Sequence, residues 1–181
     1  MPATTPAARL PFDLRLETPR LILRRFRDDD LDALAAMLAD PETTQYLGRG
    51  LTRDRAQSQD MLNWIHEHWQ QHGYGLQALE DKAGGELLGW AGFIDEPDWP
   101  DFELGWALRR TSWGMGYATE AALPMLALAR DVLKKTTVIS MIRRPNLASV
   151  RVAHKLGMAF DKEIELFDKP IDLYRIRFGG E

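Results

Sequence analysis

The sequence predicts one mixed α/β domain with a mostly antiparallel sheet, and three observations carry that prediction. The length, 181 residues, is enough for a single sizeable core and requires no second. Apolar residues recur at strand spacing in some stretches and at helical spacing in others, in the order β-α-α-β-β-β-α-β-α-β-β. Helical stretches near the middle cross between strands while hairpins flank them, which places parallel and antiparallel neighbours in one sheet.

Residues 1–12, rich in Ala, Pro and Thr, read as a flexible lead-in, and residues 13–181 as the domain. The first strand lies within residues 14–27, where Leu21-Ile22-Leu23 follows Thr18-Pro19-Arg20. Asp28-Asp29-Asp30 supplies an N-cap and an acidic first turn, Leu31, Leu34 and Leu38 follow at helical spacing, and Pro41 ends that helix. Gly48 and Gly50 mark a loop. Thr52 caps a longer helix carrying Met61, Trp64, Ile65 and Trp69, closed by Gly73 and Gly75. Strands over residues 75–80 and 86–94 flank a hairpin turn at residues 81–85, and a second turn at 95–101 leads to a strand over 102–109. A helix then runs to about Leu133, with a kink or break predicted at Pro124. Residues 135–142 form a short β-branched strand, and Pro145-Asn146 opens a helix that stops at Gly157. Residues 158–167 and 171–178 close the fold as a hairpin turning at Asp168-Lys169-Pro170.

Composition removes several function classes. A net charge of −4 argues against a nucleic-acid partner. The absence of cysteine excludes disulfides, thiolate nucleophiles and zinc–thiolate sites. His66, His68, His72 and His154 have no metal-like set of partners, so no metal is predicted. Neither a membrane-spanning run nor a secretory signal is visible, and a cytoplasmic location is the expectation.

The most informative segment is Trp113-Gly114-Met115-Gly116-Tyr117-Ala118-Thr119. Two glycines separate a strand-like run from a helix-like run. Free backbone N–H groups at a helix start, with the positive end of its dipole, make a candidate phosphate cradle. A plain strand-to-helix turn is the alternative for an isolated glycine pair. A dinucleotide site of the Rossmann type would need an acidic residue about 20 positions on. Lys134-Lys135-Thr136-Thr137 occupies that neighbourhood, and parallel βαβ repeats are lacking. On the strand before the cradle, Leu104, Trp106 and Leu108 share one face. Glu103, Gly105 and Ala107 share the other, a groove with an acid at one end.

Three stretches resemble the RimJ/RimL branch of the GNAT-superfamily N-acetyltransferases. They are Thr18-Pro19-Arg20-Leu21-Ile22-Leu23-Arg24, then Glu103-Leu104-Gly105-Trp106 with the glycine segment through Ala121, then Asn146-Leu147-Ala148-Ser149-Val150-Arg151 continuing to Met158. The likeness covers about residues 14–178. It implies helices on both sheet faces, a central parallel pair that splays apart, and acetyl-CoA as cosubstrate. Gly114, Met115, Gly116, Tyr117 and Ala118, with Thr119 following, then form the pyrophosphate loop. Backbone groups of Trp106, Ala107 and Leu108 take the pantetheine arm, and Arg109 and Arg110 meet phosphate charge or stay solvated. Asn146 combines helix capping with a bond to the arm, while Lys155 and Arg151 either approach the nucleotide end or remain solvated. Two departures stand out. Thr111 sits where the superfamily pattern has Gln or Arg, and Ala153 sits where many members carry a tyrosine acid.

Acetyl transfer to an amine needs a base, a polarised carbonyl and a proton for the departing thiolate. The resemblance makes Glu103 the candidate base, directly or through water. It makes Ser149 the candidate acid, on a stripe shared with Val152, Ala153 and Leu156. Without a cysteine to carry an acyl group, direct attack in a ternary complex is the route implied. The acceptor is a primary amine, either a protein N-terminus or a small molecule. The acidic turn at 95–101 either attracts it or is a solvated hairpin tip. Trp64, Trp69, Trp90 and Trp99 either line its pocket or pack in the core. A homodimer is compatible with the resemblance. A non-catalytic acyl-CoA-binding module and an acyltransferase for longer acyl chains remain open on the same residues.

Overall fold

A computed structural model describes residues 9–11 and 13–179 and arranges its strands as one eight-stranded sheet in the order β1-β2-β3-β4-β5-β6-β8-β7. The strands are β1 (Leu16–Glu17), β2 (Leu21–Arg24), β3 (Leu76–Asp81), β4 (Leu87–Ile94), β5 (Glu103–Leu108), β6 (Thr137–Ile142), β7 (Ala159–Leu166) and β8 (Lys169–Arg177). Neighbours are antiparallel except β5 and β6, whose parallel contact rests on the single register pair Glu103↔Ile139. Helices α1 (Leu31–Leu38), α2 (Pro41–Thr44) and α3 (Arg55–His72) follow β2, α4 (Tyr117–Asp131) joins β5 to β6, and α5 (Leu147–Lys155) joins β6 to β7. Residues 87–93 of β4 are buried one after another, so both faces of the sheet centre are covered.

Local chemistry explains most boundaries. In α1, Leu31, Leu34 and Leu38 are buried as their spacing predicts. In α3, Leu62, Ile65 and Trp69 face the core, whereas Met61 and Trp64 are half-buried on a neighbouring face. Gly73 ends α3 at φ 74, a left-handed cap that glycine adopts without strain.

Several expectations are corrected. The first strand is two short strands broken at residues 18–20. Pro41 does not simply end a helix; it is the first residue of α2, where a missing N–H is harmless. The cap of α3 is Asp54, not Thr52: its carboxylate accepts from Gln57 N–H at 2.8 Å, and Gln57 Oε1 accepts from Asp54 N–H at 3.0 Å. Helix α4 is one unbroken run through Pro124, so no break occurs there. The closing hairpin turns at Phe167-Asp168 with φ of 55° and 58°, the two positive values that a tight hairpin turn demands, and Lys169 and Pro170 already belong to β8. The lead-in expected over residues 1–12 falls largely outside the described residues. Within it, Leu10 is packed in the core and its N–H bonds Gly73 O at 2.8 Å.

The acidic run before α1 also does more than cap. Asp30 turns inward, where Arg24 donates to both its oxygens at 2.7 Å and also to Glu80 at 2.6 Å. A buried guanidinium is thereby matched by two carboxylates, the arrangement that offsets its loss of water.

Candidate active site

The site begins where the β5–β6 ladder fails. Ile139 N–H bonds Phe102 O at 3.0 Å, as a parallel pair requires. The next rung would join Met141 N–H to Leu104 O. Instead, Ser140 Oγ donates to Leu104 O at 2.6 Å, and Met141 N–H donates to Glu103 Oε1 at 3.2 Å. Two side chains thus satisfy the backbone groups that would have held the strands together. Beyond them the strands part, and residues of β5 alternate in which neighbour they address. Arg109 N–H bonds Leu88 O of β4, so by alternation the backbone of Ala107 also faces β4. The N–H and C=O of Trp106 and the N–H of Leu108 face the gap.

Glu103 sits at the apex of this opening, 7% exposed. Trp99 Nε1 donates to its other oxygen at 2.6 Å. Burial pushes its carboxyl up to about 7, against the opposing pull of the bonds from Trp99 and Met141. A carboxylate poised there is half ionised near neutral pH, where a general base is most effective.

Across the opening, α5 is capped by Asn146, whose Oδ1 accepts from Ser149 N–H at 3.2 Å. Trp106 Nε1 donates to Ser149 Oγ at 3.3 Å. An acceptor site of the hydroxyl is therefore filled from the protein side, leaving its own proton to point elsewhere. Glu103, Trp106, Asn146 and Ser149 all line one cavity of about 730 Å³.

The glycine segment follows the end of β5, and its residues are not among those lining the cavity. Gly114 and Gly116 have φ of 74° and 83°, and Gly116 is the N-cap of α4. The first intrahelical donor there is Glu120 N–H, to Gly116 O at 3.0 Å. The amides of Tyr117, Ala118 and Thr119 precede it and have no intrahelical acceptor. Trp113 Nε1 bonds Leu108 O at 2.8 Å and ties the segment to the end of β5.

A second tie comes from the start of the chain. Glu120 accepts from Thr18 Oγ1 at 2.6 Å, Arg20 N–H at 2.9 Å and Arg20 Nε at 2.7 Å. Burial opposes ionisation of Glu120, but these donors together hold its carboxyl below the usual range. The Arg20 guanidinium lies 4.2 Å from the Tyr117 ring centroid. The Thr18-Pro19-Arg20 stretch thus fixes the first turn of α4. Glu120→Ala removes three donors' acceptor at once and is expected to lower stability by about 2–3 kcal/mol in urea denaturation. An unchanged midpoint would show that the tie carries no weight.

The profile of the Acetyltransferase (GNAT) domain family matches residues 20–159. The chain belongs to the GNAT acetyltransferase family. It is 34% identical over 163 residues to the uncharacterized protein YkkB of Bacillus subtilis, covering 88% of this chain and 94% of that one. It is 29% identical over 150 residues to the uncharacterized N-acetyltransferase p20 of Bacillus licheniformis, covering 82% and 83%. An acetyltransferase structure from Agrobacterium tumefaciens superposes with a TM-score of 0.81 at 29% identity, covering 93% and 98%. In fold the chain also resembles RimL, the ribosomal L7/L12 alpha-N-protein acetyltransferase solved with coenzyme A, at a TM-score of 0.76, 16% identity, and 91% and 98% coverage.

In this GNAT acetyltransferase the remaining expected residues divide. Arg109 is turned away: it donates to Glu86 and to Ser112 Oγ and lines a separate depression with Arg24 and Glu80. Arg110 pairs with Asp40 at 3.2 Å. Lys155 is exposed on the last turn of α5 and does not line the cavity. The acidic turn is occupied by structural work. Asp95 accepts from Tyr74 Oη at 2.6 Å, Glu96 accepts from Trp64 Nε1 at 3.0 Å, and Asp101 accepts from Arg175. Of the tryptophans, Trp64, Trp90 and Trp99 line the cavity, while Trp69 is core and donates to Leu76 O at 2.9 Å. His68 is buried and held neutral, since burial lowers its pKa; one ring nitrogen meets Tyr74 O and the other accepts from Asp95 N–H. Sequence reasoning missed Ser140 and Arg143, which line the cavity from β6 and the residues after it.

No helix among the described residues is long and apolar enough to cross a membrane.

Proposed function

We propose that the protein transfers an acetyl group from acetyl-CoA to a primary amine by direct attack in a ternary complex. The observation that carries this reading is the opened β5–β6 seam, with a buried carboxyl on one side and a hydroxyl on the other within one cavity. Acetyl-CoA supplies an activated thioester. The amides of residues 117–119 and the left-handed Gly114 and Gly116 fit a diphosphate at a helix start. The open backbone groups of Trp106 and Leu108 fit the amide-bearing arm, in the manner of an added strand. They also provide donors for developing negative charge on a carbonyl oxygen.

Glu103 accepts the proton that an ammonium acceptor must lose, and its position near 7 lets it do so at neutral pH. Ser149 keeps its O–H for the departing sulfur, because Trp106 already donates to its oxygen. Glu103 passes that first proton to solvent; the second proton, shed by the nitrogen as the C–S bond breaks and the amide forms, returns through water to Ser149 and replaces the one given to sulfur. RimL, a fold neighbour solved with coenzyme A, lends support to the donor.

The test is release of free CoA from acetyl-CoA against a panel of primary amines and N-terminal peptides, with products identified by mass spectrometry. Amine-dependent release supports the reading; tight CoA binding with no acceptor turned over contradicts it. Ser149→Ala is expected to lower kcat by about 10²-fold while leaving CoA affinity nearly intact. A kcat equal to the parent's would remove Ser149 from the chemistry.

A further inference from the structure

We infer that the acceptor carries a carboxylate as well as its amine, and that Arg143 binds that carboxylate inside the cavity. This rests on the amine-acetylation reading above and names the acceptor's second group. Arg143 directly follows β6 and lines the cavity. It lies two residues beyond Met141, whose N–H holds the Glu103 carboxyl. Two extended residues span about 7 Å, so the guanidinium springs from backbone close to the proton acceptor.

Its surroundings are unusual for a buried cation. Arg143 is 9% exposed, and its guanidinium donates from Nη2 to the backbone C=O of Gly48. A guanidinium has five N–H donors. Among the described residues no carboxylate pairs with it. The contrast lies within the same chain: Arg24 has Asp30 and Glu80, Arg144 has Asp172 and Glu163, and Arg175 has Asp101 and Asp161. A desolvated cation without a counter-charge is strongly unfavourable, and a bound anion removes the penalty. Guanidinium geometry matches a carboxylate bidentately.

The acids lining the cavity do not serve this purpose. Asp60 is exposed, and Glu103 is held by Trp99 and Met141. One guanidinium balances one negative charge, which favours a carboxylate over a phosphate dianion. Of the other arginines lining the cavity, Arg49 is already engaged with Asp168 and the Phe167 ring, and Arg53 is exposed to solvent. Met61, Trp64, Leu166 and Phe167 supply apolar walls, so the body between amine and carboxylate is aliphatic or aromatic.

The experiment uses matched pairs of α-, β- and γ-amino acids with aliphatic or aromatic bodies, each beside its own carboxamide. N-acetylated acids and amides are titrated calorimetrically into CoA-loaded protein, and the free amines are compared as acceptors in steady state. The expected result is at least one spacing at which the acid binds about tenfold or more tighter than its amide. That ratio falls to about one in Arg143→Met and is partly restored in Arg143→Lys. Equal binding of acid and amide at every spacing overturns the inference. So does a ratio that survives in Arg143→Met while both ligands weaken in parallel, the mark of an arginine that only pins Gly48. A binding preference for acids with no amine turned over keeps the carboxylate site and removes the acetyl-transfer reading. Turnover without an acid preference does the reverse.

Discussion

Glu103→Gln is expected to lower kcat by about 10²–10⁴-fold and to abolish the rise of kcat/KM with pH centred near 7. The wild-type inflection should stay in place when acceptors of different amine basicity are compared, because it belongs to the enzyme. The same residue controls stability, with a definite sign. The ordinary glutamate value is 4.5 and the folded value is about 7, so the folded state binds more protons between them. Its stabilising contribution is complete below 4.5 and is lost as pH rises through 7, a change of about 3 kcal/mol. Glu103→Gln removes that slope. In urea denaturation the variant gains stability relative to the parent on going from pH 5 to pH 8. A variant that retains full turnover, or that follows the parental pH–stability slope, contradicts the role given to this carboxyl.

Gly116→Val is expected to weaken CoA binding by about tenfold to a hundredfold, with Gly114→Val close behind. Both positions have φ beyond 70°, a region that costs a β-branched residue about 1–3 kcal/mol. Packing is not the reason. A Cβ on Gly114 meets nothing within 4 Å, and one on Gly116 meets only the end of the Arg20 side chain at 3.6 Å. The strain is relieved by rotating the peptide units that present the N–H groups, so the penalty falls on the phosphates. Calorimetric titration with CoA checks it. Unaltered affinity in both variants would mean that these amides hold nothing.

Much of this architecture was legible in the sequence, for identifiable reasons. Period-two and period-3.6 patterning located the strands and helices because both sheet faces are buried. The glycine segment was legible because a left-handed N-cap excludes most other residues. Glu103 was legible as an acid beside Gly105 and Ala107, and the even register of β4 against β5 kept the alternation intact. Ser149 was legible as a polar residue on an apolar helical stripe. What escaped depended on contacts between distant segments. Thr18 and Arg20 looked like a strand entry, yet they clamp Glu120 from about 100 positions away. Ser140 looked like one hydroxyl in a β-branched strand, and only its bond to Leu104 O gives it the task of parting two strands. Arg143 and Arg144 are adjacent and alike in sequence. One is matched by carboxylates and the other is not, which no local pattern encodes. Arg109 stood beside the cradle in sequence but faces the other way, because Glu86, just before the neighbouring strand β4, takes its charge. Pro124 was read as a kink or a break in its helix; α4 runs through it without a break, with Met125 and Leu126 buried beside it.

The most direct measurement is backbone hydrogen–deuterium exchange, resolved by residue, with and without saturating acetyl-CoA. Slowed exchange at Trp106, Leu108 and residues 114–119, with little change at Ala107, is the predicted result. Saturable acetyl-CoA binding that leaves those amides exchanging as before, while others slow, would contradict it.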